Sequence, residues 1–205
     1  TPPVSVPARR FSIILGRPGV VPFWGGDYLD KLLIANRGEV AIRVARAAAE
    51  LGIASVAVYA SEDVESLHRQ RADTSVALSG RGASAYLDIE QLVDLAKTHG
   101  CDGVHPGYGF LSENAQFAQA VVDAGLIFVG PAAETLALLG DKVRARELAV
   151  GCEIPVLAGT SNAVDEAGAA AFFESLPSGS QMLIKAVSGG GGRGMRGGRK
   201  GDEIG

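Results

Sequence analysis

From Lys31 onward the chain alternates short apolar runs with stretches of helical periodicity. Leu32, Leu33, Ile34 and Ala35 form a continuous apolar run of the kind a buried strand makes. A helix is expected over residues 39–51, with Val40, Val44, Ala47, Ala48 and Leu51 at helical spacing on its apolar side. Asn36 precedes Glu39 by three residues, the spacing of a capping box, and Gly52 stands where a C′ glycine stops a helix. Ala54–Tyr59 reads as the next strand. The same alternation predicts a helix over Ile89–Thr98, a strand at Gly103–His105 and a helix over 114–124. A strand at 126–129 and a helix over Ala133–Gly140 follow. Strands that read as continuous apolar runs between helices belong to parallel sheets. The fold class expected is therefore α/β, a Rossmann-like open and mostly parallel sheet.

The character changes near Asp141. Helices are expected over 142–150 and 163–176, a short strand over 154–157, and a strand over 182–187 that runs into glycines. The expected organisation is an extension over 1–30, poorly ordered or docked through Phe23 and Trp24, a first domain over 31–145 and the start of a second over 146–205. The extension carries five prolines and three arginines before its first acid, Asp27. Its lack of acids resembles a transit peptide, but its prolines oppose an amphipathic helix.

Charge and cysteine content narrow the function classes. The net charge of −4 argues against a general nucleic-acid binder. No run approaches 18 apolar residues, so no membrane span is expected. Cys101 and Cys152 fit no metal spacing and read as two buried, reduced thiols in a cytoplasmic protein.

Three stretches can carry chemistry. The first βα turn, Ala35-Asn36-Arg37-Gly38-Glu39, has one glycine where a dinucleotide fingerprint needs three, so NAD or FAD is disfavoured there. Its plain reading is Asn36 as helix cap. Arg43, Arg46 and Glu50 share one face of the following helix, either as a solvated ionic stripe or as a contact surface.

Residues 105–114, HPGYGFLSEN, follow a strand of the sheet. Loops at the carboxyl ends of parallel strands are where ligands bind. Gly107 and Gly109 let backbone approach a ligand, and Tyr108 offers a ring face and a hydroxyl. Ser112 is the expected cap of the next helix. An ordinary loop with Phe110 and Leu111 buried would use the same residues.

The third stretch joins Lys185, inside an apolar strand, to Gly189-Gly190-Gly191-Gly192-Arg193-Gly194. Nine of the 28 glycines lie between Gly189 and Gly205, and five cations without an acid lie between Lys185 and Lys200. Backbone N–H groups of such a loop can wrap a phosphate, but the lysine precedes the glycines, unlike the Walker pattern. An ammonium ~4 Å from a phosphate charge is worth roughly 4 kcal/mol at an effective dielectric of about 20. A glycine flap closing over a phosphate chain is the expectation, against a simple flexible linker.

Taken together, KLLIANRGEVAIRVARAAAELGI from Lys31, HPGYGFLSEN from His105, IFVGP from Ile127, GDKVRAR from Gly140 and IKAVSGGGGRGMR from Ile184 resemble the amino-terminal part of a biotin carboxylase, a member of the ATP-grasp superfamily. The resemblance covers about residues 31–195 and leaves 1–30 aside. It implies a pre-ATP-grasp domain followed by an incomplete ATP-grasp subdomain. It also implies a reaction, in which ATP and bicarbonate give carboxyphosphate and the carboxyl group passes to the ureido nitrogen of carrier-bound biotin. By position, Lys142, Lys185, Gly191, Gly192 and Met195 resemble nucleotide-contacting residues. Tyr108 and Gly109 resemble residues near biotin, and Arg43, Arg46 and Glu50 resemble a homodimer face. The partners implied are a biotin carboxyl carrier protein or domain and a carboxyltransferase component.

Val187-Ser188 precedes four glycines where some relatives have a fifth. The acidic Mg²⁺ ligands, the bicarbonate-binding residues and the catalytic arginine are expected beyond Gly205, so residues 1–205 alone are expected to show no turnover. The final acceptor stays open between an acyl-CoA, pyruvate and urea, and the compartment is cytoplasmic, or the mitochondrial matrix if the extension is a transit peptide. Two other readings remain: a different ATP-grasp ligase, carbamoyl-phosphate synthase-like or purine carboxylase-like, and a non-catalytic binding or assembly fragment. The HPGYGFLSEN loop argues against the first of these.

Overall fold

A computed structural model describes residues 22–23, 27–160, 162–185 and 195–199. The chain divides into two compact units between Ala133 and Glu134. The proposed docking of Phe23 and Trp24, and the loop glycines Gly189–Gly192 and Gly194, fall outside what is described of backbone or side chain.

The first unit opens with a short antiparallel pair, β1 (Pro22–Phe23) and β2 (Asp27–Tyr28). Its body is a five-stranded sheet of β3 (Lys31–Ile34), β4 (Ala54–Tyr59), β5 (Thr74–Ala77), β6 (Gly103–His105) and β7 (Ile127–Phe128). Every pairing is parallel, and the order across the sheet is β5-β4-β3-β6-β7. Connections run outward from β3 on one side and from β6 on the other. The order therefore reverses between β3 and β6, the switch point at which open α/β sheets bind ligands. The α/β class and the parallel sheet expected from the sequence are what the chain forms.

Four helices join these strands: α1 (Gly38–Glu50), α2 (Leu67–Arg71), α3 (Ile89–Thr98) and α4 (Ala115–Asp123). Leu33, Ile34, Val56, Val58, Val104, Leu92, Phe117 and Val121 are fully enclosed between sheet and helices. Phe117 meets Phe128 edge-on at 5.8 Å. The start of β3 is pinned by Asp102, whose Oδ2 accepts from the backbone N–H groups of Asp30 at 2.9 Å and Lys31 at 2.8 Å.

Three of these helices, α1, α3 and α4, stop by one device. After α1, Gly52 has φ +72; its N–H donates to the Ala49 carbonyl and that of Ile53 to the Ala48 carbonyl. This is a Schellman closure, with Ile53 packed against Ala48. Gly100-Cys101 closes α3 and Gly125-Leu126 closes α4 in the same way.

Several sequence expectations are corrected. α1 buries Ala41, Ala45 and Ala48, while Ala47 is exposed and Leu51 is 46% exposed. The alanine stripe lets the helix lie close on Ile34, and bulkier residues flank the contact. Asn36 makes no cap bond to α1, which starts after Arg37 without a side-chain cap. Asn114, not Ser112, caps α4, accepting from Phe117 N–H at 2.9 Å. The edge strand β5 and the helix α2 lie in a stretch that the pattern leaves unassigned, because Thr-Ser-Val-Ala has no apolar run.

In the second unit, α5 (Ala133–Gly140) begins at the divide, followed by α6 (Lys142–Gly151) and α7 (Glu166–Ser175). Asp141 caps α6 and Asp165 caps α7. α6 closes in the Schellman manner with Glu153, at φ +59, in the place of glycine. β8 (Gln181–Lys185) and β9 (Met195–Arg199) form an antiparallel hairpin. Residues 154–157 form no strand, and Leu157 points fully outward. Cys152 is exposed at the end of α6 rather than buried, whereas Cys101 is buried and its thiol is pushed up to about 11 by burial. Among the described residues no helix is long and apolar enough to cross a membrane.

Candidate functional site at the sheet switch point

The first two sequence stretches turn out to be one structure. Asn36 follows β3 and residues 105–114 follow β6, so both leave the sheet at the carboxyl side of the switch point. Asn36 is only 2% exposed. Its Nδ2 donates to the carbonyl of Pro106 at 2.7 Å and to that of Tyr108 at 2.9 Å, and its Oδ1 accepts from Arg37 N–H at 2.9 Å. Both donors of the amide are thus spent on the loop, and its oxygen holds the start of the next turn.

Gly107 shows how tight the join is. A Cβ there would lie 2.5 Å from Val40 Cγ1 and 2.6 Å from Asn36 Nδ2, and φ is +67°. Only glycine meets both conditions. The Gly107 N–H donates to Nδ1 of His105 at 2.9 Å, which fixes that imidazole with its proton on Nε2. Burial holds the His105 pKa below its ordinary value.

Past Tyr108 the backbone stays left-handed, with Gly109 at φ +69 and Phe110 at φ +43. A phenylalanine there carries strain of order 1–3 kcal/mol. The ring of Phe110 stacks on Tyr86 with centroids 5.1 Å apart. The Arg37 guanidinium lies over both rings, 5.6 Å from Tyr86 and 5.7 Å from Phe110.

This group is locked by hydrogen bonds. Asp63 Oδ2 accepts from Tyr86 O–H at 2.7 Å and from Arg37 Nη1 at 3.2 Å; its Oδ1 accepts from Ser66 O–H at 3.2 Å. The Tyr86 oxygen in turn accepts from Ala60 N–H at 3.1 Å. Burial works to raise the Asp63 carboxyl, and these donors outweigh it, holding it below the usual range. Burial first, then the neighbouring carboxylate, push the Tyr86 phenol well up, so it stays a neutral donor. Arg37, Asp63, Tyr86 and Phe110 follow β3, β4, β5 and β6, respectively. One cluster ties four loops together along the carboxyl edge of the sheet.

Tyr108 stands out from this framework. It is 66% exposed, and its hydroxyl donates to Glu39 Oε2 at 3.2 Å. Gly109 has open space where a Cβ would be. Buried backbone below and a bare aromatic face above suit a planar ligand.

On the outer side of α1, Arg43 and Arg46 are exposed and Glu50 follows them. Arg43 pairs with Glu39 at 3.7 Å, a solvated contact of little energetic weight. Arg43 and Arg46 line an open hollow of about 640 Å³ with Ile42, Leu67 and His68. His68 is buried, and its Nε2 donates to the Val58 carbonyl at 3.1 Å.

In the second unit, Lys142 lies in the first turn of α6, right after its Asp141 cap. Lys185 ends β8 and Met195 opens β9; the two are direct cross-strand partners, and both are exposed. The hairpin register therefore puts these two side chains on the same face of the strand pair. Gly191 and Gly192 lie outside the described residues. Among the described residues no group of three or more His, Cys, Asp or Glu side chains gathers to hold a metal ion.

Sequence reading singled out Asn36, Tyr108 and Gly109 but missed that Asn36 serves the loop. It also missed Arg37, Asp63 and Tyr86 as a cluster. The one local signal was aromatic Phe110 after Gly109; nothing local links Asp63 to Tyr86.

The sequence model of the family described as "Biotin carboxylase, N-terminal domain" matches residues 28–136. The pyruvate carboxylase of Staphylococcus aureus is 50% identical over 170 residues, which is 82% of this chain and 15% of that protein. The mitochondrial pyruvate carboxylase of Rattus norvegicus is 49% identical over 171 residues, 82% of this chain and 14% of its own length. The chain thus spans about 15% of the curated relatives it matches. Among solved structures, the biotin carboxylase domain of a single-chain bacterial carboxylase superposes with TM-score 0.69 at 58% identity, over 71% of this chain and 34% of that one. The biotin carboxylase domain dimer of Hydrogenobacter thermophilus 2-oxoglutarate carboxylase, in complex with MgADP, ADP and bicarbonate, gives TM-score 0.79 at 38% identity, over 83% and 38%.

Proposed function

This chain belongs to the biotin carboxylase family through its N-terminal domain, and from that premise we propose that it takes part in the ATP- and bicarbonate-dependent carboxylation of biotin on a carrier protein or domain. The observation that carries the reading is the loop at the switch point: Asn36 holds the carbonyls on both sides of Gly107 and leaves the Tyr108 ring bare. On this reading Tyr108 and Gly109 lie against biotin. The ring excludes water from one side of the ureido group, and the glycine leaves room beside it.

The second unit is proposed as the opening part of an ATP-grasp domain. The residues present fit one wall of a nucleotide site. Lys185 supplies a cation for phosphate and Met195, directly opposite it, an apolar side chain for a base. Lys142 is proposed as a second phosphate contact, and Gly191 and Gly192 as parts of the flap. No Mg²⁺ ligand is assigned to the described residues, because no cluster among them suits the ion. Arg43, Arg46 and Glu50 are proposed to face a second copy, a reading supported by the open, mostly apolar hollow beside the two arginines. A carboxyltransferase component would take the carboxyl group onward. Residues 1–205 by themselves are proposed to lack turnover.

The test is fixation of ¹⁴C-bicarbonate into free biotin by the whole protein, with ATP. Fixation that is lost in Lys185→Ala and Tyr108→Ala supports the reading. Absence of fixation by the unaltered protein, or unchanged fixation in Lys185→Ala, overturns the assignment concerned.

A further inference from the structure

The loop that carries Tyr108 is gripped twice. Upstream, Asn36 binds the carbonyls of Pro106 and Tyr108. Downstream, Phe110 is forced to φ +43, where a side chain is unfavourable, and its ring is stacked on Tyr86 under the Arg37 guanidinium. Tyr86 is fully buried and cannot swing away, since Asp63 and Ala60 N–H hold its oxygen from two sides. A merely structural loop would relieve the strain at position 110 with glycine or asparagine, as the loop itself does at 107 and 109. A phenylalanine is instead kept there and stacked on two partners from other loops. Strain that surrounding structure over-determines is found where a nearby group must be presented in one geometry.

We infer that Arg37, Tyr86 and Phe110 are positioning residues, a clamp that fixes the exposed Tyr108 ring for its substrate by holding the backbone two residues downstream. The inference deepens the carboxylase reading and rests on it for the identity of that substrate as biotin. Arg37 sets the clamp from β3, Asp63 and Tyr86 from β4 and β5, so the presentation of Tyr108 depends on the relative placement of four loops. Arg37 retains donors toward solvent, its side chain being 38% exposed, while Asp63 is 15% exposed beneath it. Asp63 thus serves as the fixed base of the clamp.

Phe110→Gly is the discriminating variant, because it removes the stacked ring and relieves the backbone at once. Its thermal midpoint is expected to hold, while amide hydrogen exchange across residues 107–112 speeds up by roughly tenfold or more. In the whole protein, kcat for carboxylation of free biotin should fall by about tenfold or more with KM for ATP within about twofold. Tyr86→Phe keeps the stack and should restore most of the activity lost in Tyr86→Leu. Unchanged exchange in Phe110→Gly, or equal losses in the biotin-dependent rate and in KM for ATP, would overturn the clamp. If the unaltered protein does not carboxylate biotin, the carboxylase reading fails, and the exchange measurement alone still decides whether the clamp exists.

Discussion

The Asn36 side-chain amide donates to the Tyr108 carbonyl at 2.9 Å across 72 positions of sequence. It makes the same kind of bond to Pro106, so a single buried amide sets the path of the loop on both sides of Gly107. Asn36→Ala is expected to cost about 2 kcal/mol, because two carbonyls lose their donor inside the protein. Asn36→Asp should cost more, since a carboxylate would face both oxygens. Urea unfolding with unchanged m-value measures each; a loss below about 0.5 kcal/mol in both would contradict the role given to the amide.

Gly107 and Gly109 share nearly the same left-handed backbone but not the same surroundings. Gly109→Ala is expected to cost about 1 kcal/mol, the conformational term alone. Gly107→Ala adds a collision with Val40 and Asn36, so its cost should exceed that of Gly109→Ala by about 2 kcal/mol. Equal midpoints for the two variants would show that the contact gives way without cost.

Glu153 fills the C′ position of α6 with φ +59, where the three corresponding helices of the first unit have glycine. Glu153→Gly should stabilise the second unit by up to about 1 kcal/mol, the relief of left-handed strain less the added freedom of the unfolded chain. Thermal unfolding checks the sign, and a lower midpoint would count against it.

The folded His105 has its pKa depressed by burial, and its Nδ1 must be unprotonated to accept from Gly107 N–H. The unfolded chain therefore binds the proton more readily. The contribution is present above the ordinary histidine value of about 6.5 and is lost as pH falls through the depressed folded value. Urea midpoints should decline from pH 8 toward pH 5, and less steeply in His105→Gln. A slope that His105→Gln leaves unaltered would place the titration elsewhere. Asp63 and Asp73 act in the same direction, but in the lower carboxylate range.

The parts of the fold that were legible are those whose cause is local. Leu51-Gly52-Ile53, His99-Gly100-Cys101 and Ala124-Gly125-Leu126 each write a helix stop and the approach to a strand in three letters, and the elements around them formed where expected. β5 was illegible because an edge strand has no need of an apolar run. Capping is the role that the sequence neighbours of Asn36 suggest; its true partners follow another strand, and only the parallel register of β3 with β6 brings them near. The alanine stripe of α1 misled for a related reason, as small residues mark close approach rather than bulk burial. The Tyr86–Asp63 bond had no local sign at all.

At the first turn of this sheet, a glycine-rich fingerprint would leave a gap for a cofactor's pyrophosphate. Here that gap is stoppered from within, by the amide of Asn36 against the chain after β6. The fold has in effect supplied its own permanent ligand at the crevice. What stands open to solvent there is therefore not the cleft between the strands but the Tyr108 ring raised over it.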